Sequence, residues 1–480
     1  MKKYIKLLYI LLFGVVLTRV VTMSLLPLTD TTEARYANTA LMMSNLNDWI
    51  TPFFRYGEPF LGKPPFAFWF EALSYRILGV ADFVPRLPSL LITIATVWLI
   101  YKLLITLNDK LTATIASIIY MSSYSVFLVS GAVMTDAFLV FGTTLSLVSF
   151  LLVVNGYRDY WRYLLFVGIG IGILTKGPLA VVVIGGIIGL WIVLSFRERI
   201  ATLRLFPWMS GTLLMTAIFL PWYIAQEIKN PGFLYYFIVG ENLGRFLDTG
   251  WHGDKYGYVH KEPRGMIWLF WLLASFPWSL VAISMIVKLR KQITKQQISY
   301  WIKDDNISFY IVWALFIMLF FTLGGNVLWY YPLPSIGGFT ILLSIHYTRD
   351  SIVSLAKYSK MILVSSSVVP IIGLVVVTTI LLQPNSIKTE KYLIAKYRDI
   401  SQKGNKIYFV GETSFSSAYY MNTGQNLETI TPKEYQSIVK KSNKRYFIMI
   451  KKSEISKLNI ENLKNVYESN RYILFEGNSI

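Results

Sequence analysis

Eleven apolar runs of membrane-spanning or near-spanning length divide this chain and restrict its fold more than any other feature. A helix needs about 20 apolar residues to cross a hydrocarbon core of about 30 Å. The runs lie at about 5–28, 83–105, 111–129, 132–154, 160–175, 177–195, 205–225, 264–287, 307–323, 328–345 and 361–382. Because backbone groups must satisfy their own hydrogen bonds within lipid, each run predicts a helix. The sequence therefore predicts a mainly α, polytopic transmembrane bundle of about 11–13 helices.

The composition supports a membrane protein. Of 480 residues, 54% are hydrophobic and 15% are charged, which leaves too little polar surface to cover a soluble globule of this length. The net charge of +19 comes from Lys and Arg placed in short segments between the apolar runs. That placement indicates membrane topology and contact with anionic lipids, and argues against a nucleic-acid partner. The absence of cysteine from the sequence excludes disulfides, cysteine-bound zinc and thiol chemistry.

The positions of the basic residues also predict the orientation of the chain. If the N-terminus is cytoplasmic, nearly every short inside loop is basic, as the positive-inside rule requires. The first apolar run follows Met1-Lys2-Lys3 and is long enough to span, so we interpret it as a retained signal anchor.

The polar residues concentrate in three segments that this orientation places outside the cytoplasm. They are the loops 29–82 and 226–263 and the tail that follows the last apolar run. We expect a membrane domain over 1–382 that includes both loops, and a small extracytoplasmic α/β domain over 385–480. Alternating segments typical of short buried strands lie in this tail, at 406–410 and 445–450.

Two carboxylates and a guanidinium lie within six residues at the start of the first outer loop, in Asp30-Thr31-Thr32-Glu33-Ala34-Arg35-Tyr36. On a helix, Asp30 and Glu33 share one face and Tyr36 extends it. One carboxylate could act as general base on a hydroxyl, with Arg35 setting its pKa. The alternative is helix capping, because Glu33 has the capping-box offset.

Later in the same loop, Lys63 precedes two prolines that make a rigid bend. A lysine fixed beside aromatic residues at the interface is suited to a phosphate leaving group. The alternative is that the Lys63 ammonium extends toward the lipid headgroups, which is common for lysines next to a membrane.

Further polar residues lie in or beside the apolar runs. Asp136 is just inside one run, where a carboxylate needs a partner or a water-filled cavity. Lys176 ends a short run, where capping of helix carbonyls and contact with a lipid phosphate are both reasonable. The three histidines, His252, His260 and His346, have no metal-ligand spacing, so no metal site is predicted, although assistance by a divalent metal is left open.

The segment from Asp30 to Arg86 resembles the N-terminal signature of the bacterial aminoarabinose-transferase-like and protein O-mannosyltransferase-like membrane glycosyltransferases, which have the GT-C fold. The shared order is an acidic pair, Arg-Tyr-Ala, Asp-Trp, Lys-Pro-Pro with a following Trp, and Arg-Leu-Pro. Weaker similarities follow at Val133-Met134-Thr135-Asp136-Ala137, Leu174-Thr175-Lys176-Gly177-Pro178, Glu241-Asn242-Leu243-Gly244-Arg245-Phe246 with His260, and Trp329-Tyr330-Tyr331-Pro332-Leu333-Pro334. The resemblance covers about 30–340.

The resemblance implies a role for each matching residue. Glu33 and Asp30 become the candidates for the catalytic acid or base. The carrier phosphate is expected to bind Arg35, Tyr36, Lys63 and Arg245. A second acidic site and its supporting residues are expected at Asp136, Lys176, His260 and Tyr330.

Three departures from the family pattern limit what the resemblance implies. Thr32 precedes Glu33 where the family often has adjacent acids, so the choice between Asp30 and Glu33 stays open. Gly62 precedes Lys63 where aminoarabinose transferases have a metal-ligating glutamate, and Asn242 stands where a histidine is common. These departures argue against transfer of aminoarabinose to lipid A specifically.

The resulting hypothesis is a glycosyltransferase of the bacterial plasma membrane. It moves a sugar from a polyprenyl-phosphate donor to an extracytoplasmic lipid, glycan or protein acceptor, with inversion if no covalent intermediate forms. The alternative is a transporter or flippase for a lipid-linked sugar, which predicts functional polar residues near the bilayer midplane. A structural or sensor protein that presents the tail domain leaves the clustered charges unexplained.

Overall fold

The computed structural model describes residues 2–248, 251, 253, 255–257, 261–289, 294–348, 351–401, 407–421, 429–432, 434–435, 445–460 and 463–477. The helices, in chain order, are α1 (Lys2–Leu25), α2 (Thr32–Leu46), α3 (Phe66–Leu78), α4 (Leu87–Leu107), α5 (Lys110–Ser122), α6 (Tyr124–Val129), α7 (Asp136–Val154), α8 (Trp161–Lys176), α9 (Pro178–Leu194), α10 (Phe196–Arg199), α11 (Trp208–Lys229), α12 (Arg245–Leu247), α13 (Met266–Ala274), α14 (Trp278–Leu289), α15 (Lys295–Lys303), α16 (Asp305–Phe321), α17 (Ile336–Thr348), α18 (Ser351–Leu382), α19 (Lys391–Ile400) and α20 (Phe415–Met421).

The strands are β1 (Phe53–Arg55), β2 (Glu58–Pro59), β3 (Ile407–Val410), β4 (Thr429–Ile430), β5 (Tyr446–Lys451), β6 (Leu463–Glu468) and β7 (Tyr472–Gly477). A π-helical segment, Tyr235–Gly244, leads directly into α12. Each of the eleven predicted apolar runs contains a helix, and the tail contains a sheet, so the predicted mainly α membrane fold with a small C-terminal α/β domain is confirmed.

Several of these helices can cross a membrane. By length and hydropathy, five helices of the described chain qualify, at Tyr4–Leu25, Val84–Leu107, Asp136–Val154, Trp208–Lys229 and Ser359–Leu382, and up to seven qualify if each of two bent helix pairs is one span. The prediction of a single helix at 264–287 is wrong, because α13 and α14 meet there at 106°. The break lies at Pro277, which has no backbone N–H with which to continue the helix.

The chain forms two compact units. The first comprises Met1–Met23, Phe60–Ala67 and Arg86–Leu374, and the second comprises Ser24–Pro59, Phe68–Pro85 and Val375–Ile480. The second unit thus takes in most of the first outer loop together with the tail. The predicted domain boundary at 382–385 assigned that loop to the membrane domain, and it stays a prediction.

The core of the first unit is built around α7, which packs against α4, α8 and α9. Small residues allow α7 and α8 to approach closely: a Cβ on Gly142 would lie 2.8 Å from the Gly168 carbonyl oxygen. The Ser146 hydroxyl adds a hydrogen bond of 2.9 Å to the Leu165 carbonyl. This packing holds the first residue of α7 and the last residue of α8, Asp136 and Lys176, at the same end of the helix pair.

The second unit contains a five-stranded mixed sheet in the order β4-β3-β5-β7-β6. β3 pairs in parallel with β4 and β5, whereas β7 pairs antiparallel with β5 and β6. The central strand β5 is buried at every position except Lys451, which explains its continuous apolar sequence. α19 packs against β6 and β7, and α20 packs against α19 and α2, so the first outer loop and the tail share one core.

Candidate active site

In the first unit, Lys63 and Arg245 both donate to one carboxylate oxygen. Lys63 Nζ lies 2.9 Å and Arg245 Nη1 lies 3.0 Å from Glu241 Oε1. The Glu241 side chain is only 7% exposed, whereas those of Lys63 and Arg245 are 20% and 18% exposed. A shared carboxylate therefore holds two cations side by side, with part of each cation accessible from outside the cluster.

Local structure fixes these side chains. The loop before Lys63 is held by Tyr256, whose hydroxyl accepts a hydrogen bond of 3.1 Å from the Leu61 N–H and whose ring packs against Phe60 at 4.8 Å. Lys63 also donates to the Gly62 carbonyl at 2.7 Å. Glu241 lies within the π-helical segment, a helix type that is common at functional sites, four residues before Arg245.

A second buried ion pair joins Asp136 to Lys176 at 2.6 Å. Their side chains are 8% and 11% exposed, so the carboxylate has the partner that its apolar surroundings require. Lys176 Nζ also lies 5.6 Å and 5.8 Å from the ring centroids of Tyr330 and Tyr331, within range of a cation–π contact.

A cavity of about 490 Å³ connects these two groups. Lys63, Lys176, Glu241 and Arg245 form part of its wall, together with Asn326. Most of the remaining wall is apolar and consists of Pro178, Leu179, Val182, Phe237, Ile238, Val239, Leu243, Phe246, Leu247, Phe320 and Phe321, with Asn242 and Tyr331. The three cations of the wall pair with two carboxylates, Glu241 in the wall and Asp136, which does not line the cavity. These five groups together have one positive charge in excess. The cavity is therefore suited to an anionic headgroup that carries apolar substituents.

The structure gives Asp30 a different environment from the one that its sequence suggests. Helix α2 begins at Thr32, so Asp30 precedes the helix and does not share a helical face with Glu33. Its side chain is 1% exposed and accepts hydrogen bonds from the Ser416 N–H at 3.0 Å, from the Ser416 hydroxyl at 2.5 Å and from Arg471. Arg471 Nη2 also lies 3.0 Å from Glu390 Oε1. Asp30 thus joins the first outer loop to the tail domain within the second unit.

Glu33 is in the first turn of α2 and is partly exposed. Its Oε2 accepts from the Thr29 N–H at 3.2 Å and from the Thr29 hydroxyl at 3.3 Å. The residue at the N-cap, Thr31, makes no side-chain capping hydrogen bond, so the capping-box alternative is wrong. Glu33 reaches back to the turn before the helix instead.

Arg35 and Tyr36 are surrounded by aromatic rings of the second unit. The Arg35 guanidinium carbon lies 5.1 Å from the Tyr36 ring centroid and 5.9 Å from those of Phe54 and Phe415. Tyr36 is buried and meets Phe68 edge to face at 5.3 Å. These contacts hold the guanidinium in a fixed plane, which favours directed hydrogen bonds to an oxyanion.

The predicted site residues therefore fall into separate groups. Lys63 and Arg245 are together, Asp136 and Lys176 are together with Tyr330, and all five belong to the first unit. The other four, Asp30, Glu33, Arg35 and Tyr36, belong to the second unit. His260 lies outside the described residues. Within the described part of the chain, no three His, Cys, Asp or Glu side chains form a group that could hold a metal ion.

Four polar residues of these regions were not predicted from the sequence. Glu241 had a usable signal, because it lies four residues before Arg245 in a helical segment. No such sequence signal marks Asn326, Glu71 or Glu390, since nothing local distinguishes a buried amide or carboxyl from an exposed one. Burial raises the pKa of Glu71 well above its ordinary range and raises that of Glu390 to about 7, in spite of the nearby Arg471.

Comparison with known proteins supports the resemblance seen in the sequence. A family model described as dolichyl-phosphate-mannose-protein mannosyltransferase matches residues 62–224. The undecaprenyl phosphate-alpha-4-amino-4-deoxy-L-arabinose arabinosyl transferase of Yersinia pestis (strain Pestoides F) is 28% identical over 328 residues, which are 66% of this chain and 54% of that protein. The Yersinia enterocolitica protein of the same name is 26% identical over 327 residues. This chain thus spans about half the length of the curated relatives that it matches.

The solved structure of ArnT from Cupriavidus metallidurans bound to undecaprenyl phosphate superposes with a TM-score of 0.76, at 14% identity, over 98% of this chain and 97% of that one. The chain therefore has the fold of this ArnT, the GT-C fold. An archaeal oligosaccharyltransferase, AglB of Archaeoglobus fulgidus, shows a more distant likeness, with a TM-score of 0.52 at 11% identity over 93% of this chain and 70% of that one. The shared fold is that of a multi-span membrane protein, in agreement with the apolar helices of this chain.

Proposed function

We propose that this ArnT-like chain is a glycosyltransferase that moves a sugar from a polyprenyl-phosphate donor to an acceptor outside the cytoplasm. The observation that carries the proposal is the convergence of Lys63 and Arg245 on Glu241 in the wall of a largely apolar cavity. The similarity to transferases that use undecaprenyl phosphate donors supports it, as does the fold shared with an ArnT bound to undecaprenyl phosphate.

The charges of this cavity suit the phosphate of such a donor. A sugar linked to polyprenyl phosphate has one negative charge, which matches the single excess positive charge of the three cations and their two carboxylate partners. When the bond to the sugar breaks, the leaving phosphate gains a second charge, and cations already fixed in place stabilise it without reorganisation. The apolar wall is suited to the first isoprenyl units, which carry no polar groups.

The reaction is a direct displacement. The acceptor hydroxyl oxygen forms a bond to the anomeric carbon, the bond from that carbon to the phosphate oxygen breaks with its electron pair, and the hydroxyl proton passes to a carboxylate. Lys63 and Arg245 neutralise the departing phosphate, and the resemblance adds Arg35 and Tyr36 to this role. A single displacement inverts the configuration at the anomeric carbon.

Glu33 is the better candidate for the carboxylate that takes the proton. It is partly exposed, and its Oε2 accepts hydrogen bonds from Thr29 at 3.2 and 3.3 Å. Asp30 is almost fully buried, and its oxygens already accept hydrogen bonds from Arg471 and Ser416, so it is poorly placed to reach an acceptor hydroxyl. Asp30 is then a structural residue of the second unit.

The resemblance to bacterial enzymes supports a reaction at the bacterial plasma membrane. The basic inside loops favour a cytoplasmic N-terminus, with the first outer loop and the tail domain outside. The donor is a lipid of this membrane, and the acceptor is a lipid, a glycan or a protein of the cell envelope. Asp136, Lys176, Tyr330 and His260 are proposed to support the site.

The test is transfer of radiolabelled sugar from a panel of polyprenyl-phosphate sugars by the purified full chain in lipid. Wild type should move label to an acceptor or to water. Glu33→Gln should lose transfer while its melting temperature stays near that of wild type, and Glu58→Gln, at an exposed glutamate of the same loop, serves as the matched control. Lys63→Met should slow transfer by about 100- to 1,000-fold, the typical effect of removing one transition-state donor.

Two results would contradict the proposal. Near-normal turnover of both Lys63→Met and Glu33→Gln would remove these residues from the chemistry. An absence of transfer from every donor, together with passage of intact lipid-linked sugar across the bilayer, would favour a flippase. If instead Asp30→Asn loses transfer without a fall in melting temperature, Asp30 is the base and Glu33 is not.

A further inference from the structure

Asn326 is a buried amide in the wall of the same cavity. It is 8% exposed and follows two glycines at the end of the segment after α16. The backbone here is fixed from outside the segment, because the Glu262 N–H donates to the Gly325 carbonyl at 2.8 Å and Asn326 forms a β-bridge with Lys261. The backbone that carries this side chain is therefore held in place at the cavity wall.

Neither end of this amide has a hydrogen-bond partner among the described residues. Both Asn326 Nδ2 and Asn326 Oδ1 are buried and unsatisfied, and Glu241 Oε2, in the same wall, is also buried without a partner in that part of the chain. Buried polar atoms are nearly always hydrogen-bonded, and leaving one unsatisfied is costly. Three unsatisfied atoms in one cavity wall therefore point to a bound polar group that the cavity is built to receive.

The kind of unsatisfied atom identifies the chemistry of that group. An ionised phosphate only accepts hydrogen bonds, so it can satisfy Asn326 Nδ2 but neither Asn326 Oδ1 nor Glu241 Oε2. Those two oxygens need an O–H or N–H donor. A sugar hydroxyl both donates and accepts, so it can satisfy either end of the amide. Exchanging the positions of the amide nitrogen and oxygen leaves the same unsatisfied donor and acceptor in the wall.

We infer that Asn326 is a specificity-determining residue that hydrogen-bonds a hydroxyl of the donor sugar, with Glu241 Oε2 accepting from a neighbouring hydroxyl or amine. Lys63 and Arg245 bind the phosphate, whereas Asn326 distinguishes a carrier with a sugar from a carrier without one. This inference rests on the proposed function and names the part of the donor that each side of the cavity recognises.

Binding measurements on the full chain in lipid nanodiscs test the inference without requiring turnover. The probes are undecaprenyl phosphate and undecaprenyl phosphate linked to mannose, glucose or 4-amino-4-deoxy-L-arabinose, and the tightest of these sugar donors for wild type is then used throughout. Asn326→Leu removes both hydrogen bonds at similar volume. It should weaken binding of the sugar donor by about 10- to 100-fold and change binding of undecaprenyl phosphate by less than about twofold.

Two variants separate this effect from damage to the cavity. Lys63→Met should weaken binding of the sugar donor and binding of undecaprenyl phosphate by the same factor, because both ligands contain the phosphate. Asn242→Leu is the matched asparagine, since Asn242 lines the same cavity but its amide already donates to the Phe237 carbonyl at 2.7 Å. Any loss of affinity in Asn242→Leu should be equal for the two ligands.

Donors that lack single sugar hydroxyls give a second readout. Wild type should bind one such deoxy donor about 10-fold less tightly than its parent, and Asn326→Leu should bind that deoxy donor and the parent equally. Equal weakening of sugar donor and carrier by Asn326→Leu, or no change in either, would overturn the inference and leave the proposed function intact. Failure of wild type to bind undecaprenyl phosphate or any of its sugar derivatives would overturn both.

Discussion

Lys63 donates a hydrogen bond of 2.9 Å to Glu241 Oε1, although the two residues are 178 positions apart in the chain. The same oxygen accepts from Arg245, so one carboxylate holds two cations that would otherwise repel each other. In the proposed reaction the phosphate of the donor takes over part of this role. Glu241 is therefore expected to link the stability of the first unit to binding of the carrier.

Replacing Glu241 by Gln should expose this link. The variant keeps a hydrogen-bonding side chain but removes the negative charge that Lys63 and Arg245 share, so we expect a loss of about 2–4 kcal/mol of unfolding free energy. Undecaprenyl phosphate should raise the melting temperature of Glu241→Gln more than that of wild type, because it supplies the missing negative charge. Glu198→Gln, at an exposed glutamate, is the control. An equal ligand-induced shift in both proteins would contradict the link.

The buried pair of Asp136 and Lys176 should behave differently from an exposed salt bridge. Asp136→Ala leaves a buried ammonium without its partner and should cost about 3–5 kcal/mol, seen as a lower melting temperature. The double variant Asp136→Leu with Lys176→Met should recover most of this loss, since no buried charge remains. If the double variant is stable and transfers sugar at the wild-type rate, the pair has no part in the reaction.

Glu390 should make the stability of the chain depend on pH. Burial raises its pKa from an ordinary value of 4.5 to about 7, so between these two values the folded state holds a proton that the unfolded state releases. Stability is then fully present below about pH 4.5 and falls as the pH rises to about 7, by at most ~3 kcal/mol. Glu390→Gln, which cannot ionise, should reduce this fall in melting temperature between pH 4.5 and 8. A pH profile identical to that of wild type would show that Glu390 does not cause it.

Glu71 should be replaceable by an apolar residue with a gain in stability. It lies on α3, its carboxyl oxygens are buried, and neither has a hydrogen-bond partner among the described residues. Burial raises its pKa well above the ordinary range, because an apolar environment favours the neutral form of the carboxyl. Glu71→Met should raise the unfolding free energy by about 1–2 kcal/mol, with Glu71→Gln as the polar control. A lower melting temperature in Glu71→Met would show that the carboxyl makes a stabilising interaction.

The sequence by itself determined the fold class of this protein. The eleven apolar runs and the alternating segments of the tail are local patterns, and helices and strands formed where these patterns lie. The prediction of one helix at 264–287 was wrong, because average hydropathy does not include the effect of Pro277 on the helix. The order of the motifs, which is also a property of the sequence, predicted Lys63 and Arg245 as phosphate-binding residues through the family resemblance.

Only the tertiary structure decided which charges meet. Lys63 finds Glu241 at a separation of 178 residues, Lys176 finds Asp136 at 40, and Arg471 finds Asp30 at 441. An ion pair depends on the distance between two side chains, and the packing of whole helices sets that distance. The burial of Asn326 and the exposure of Glu33 arise in the same way. The sequence could therefore name the chemical groups, whereas the packed fold buried Asp30 beside Arg471 and left Glu33 partly exposed.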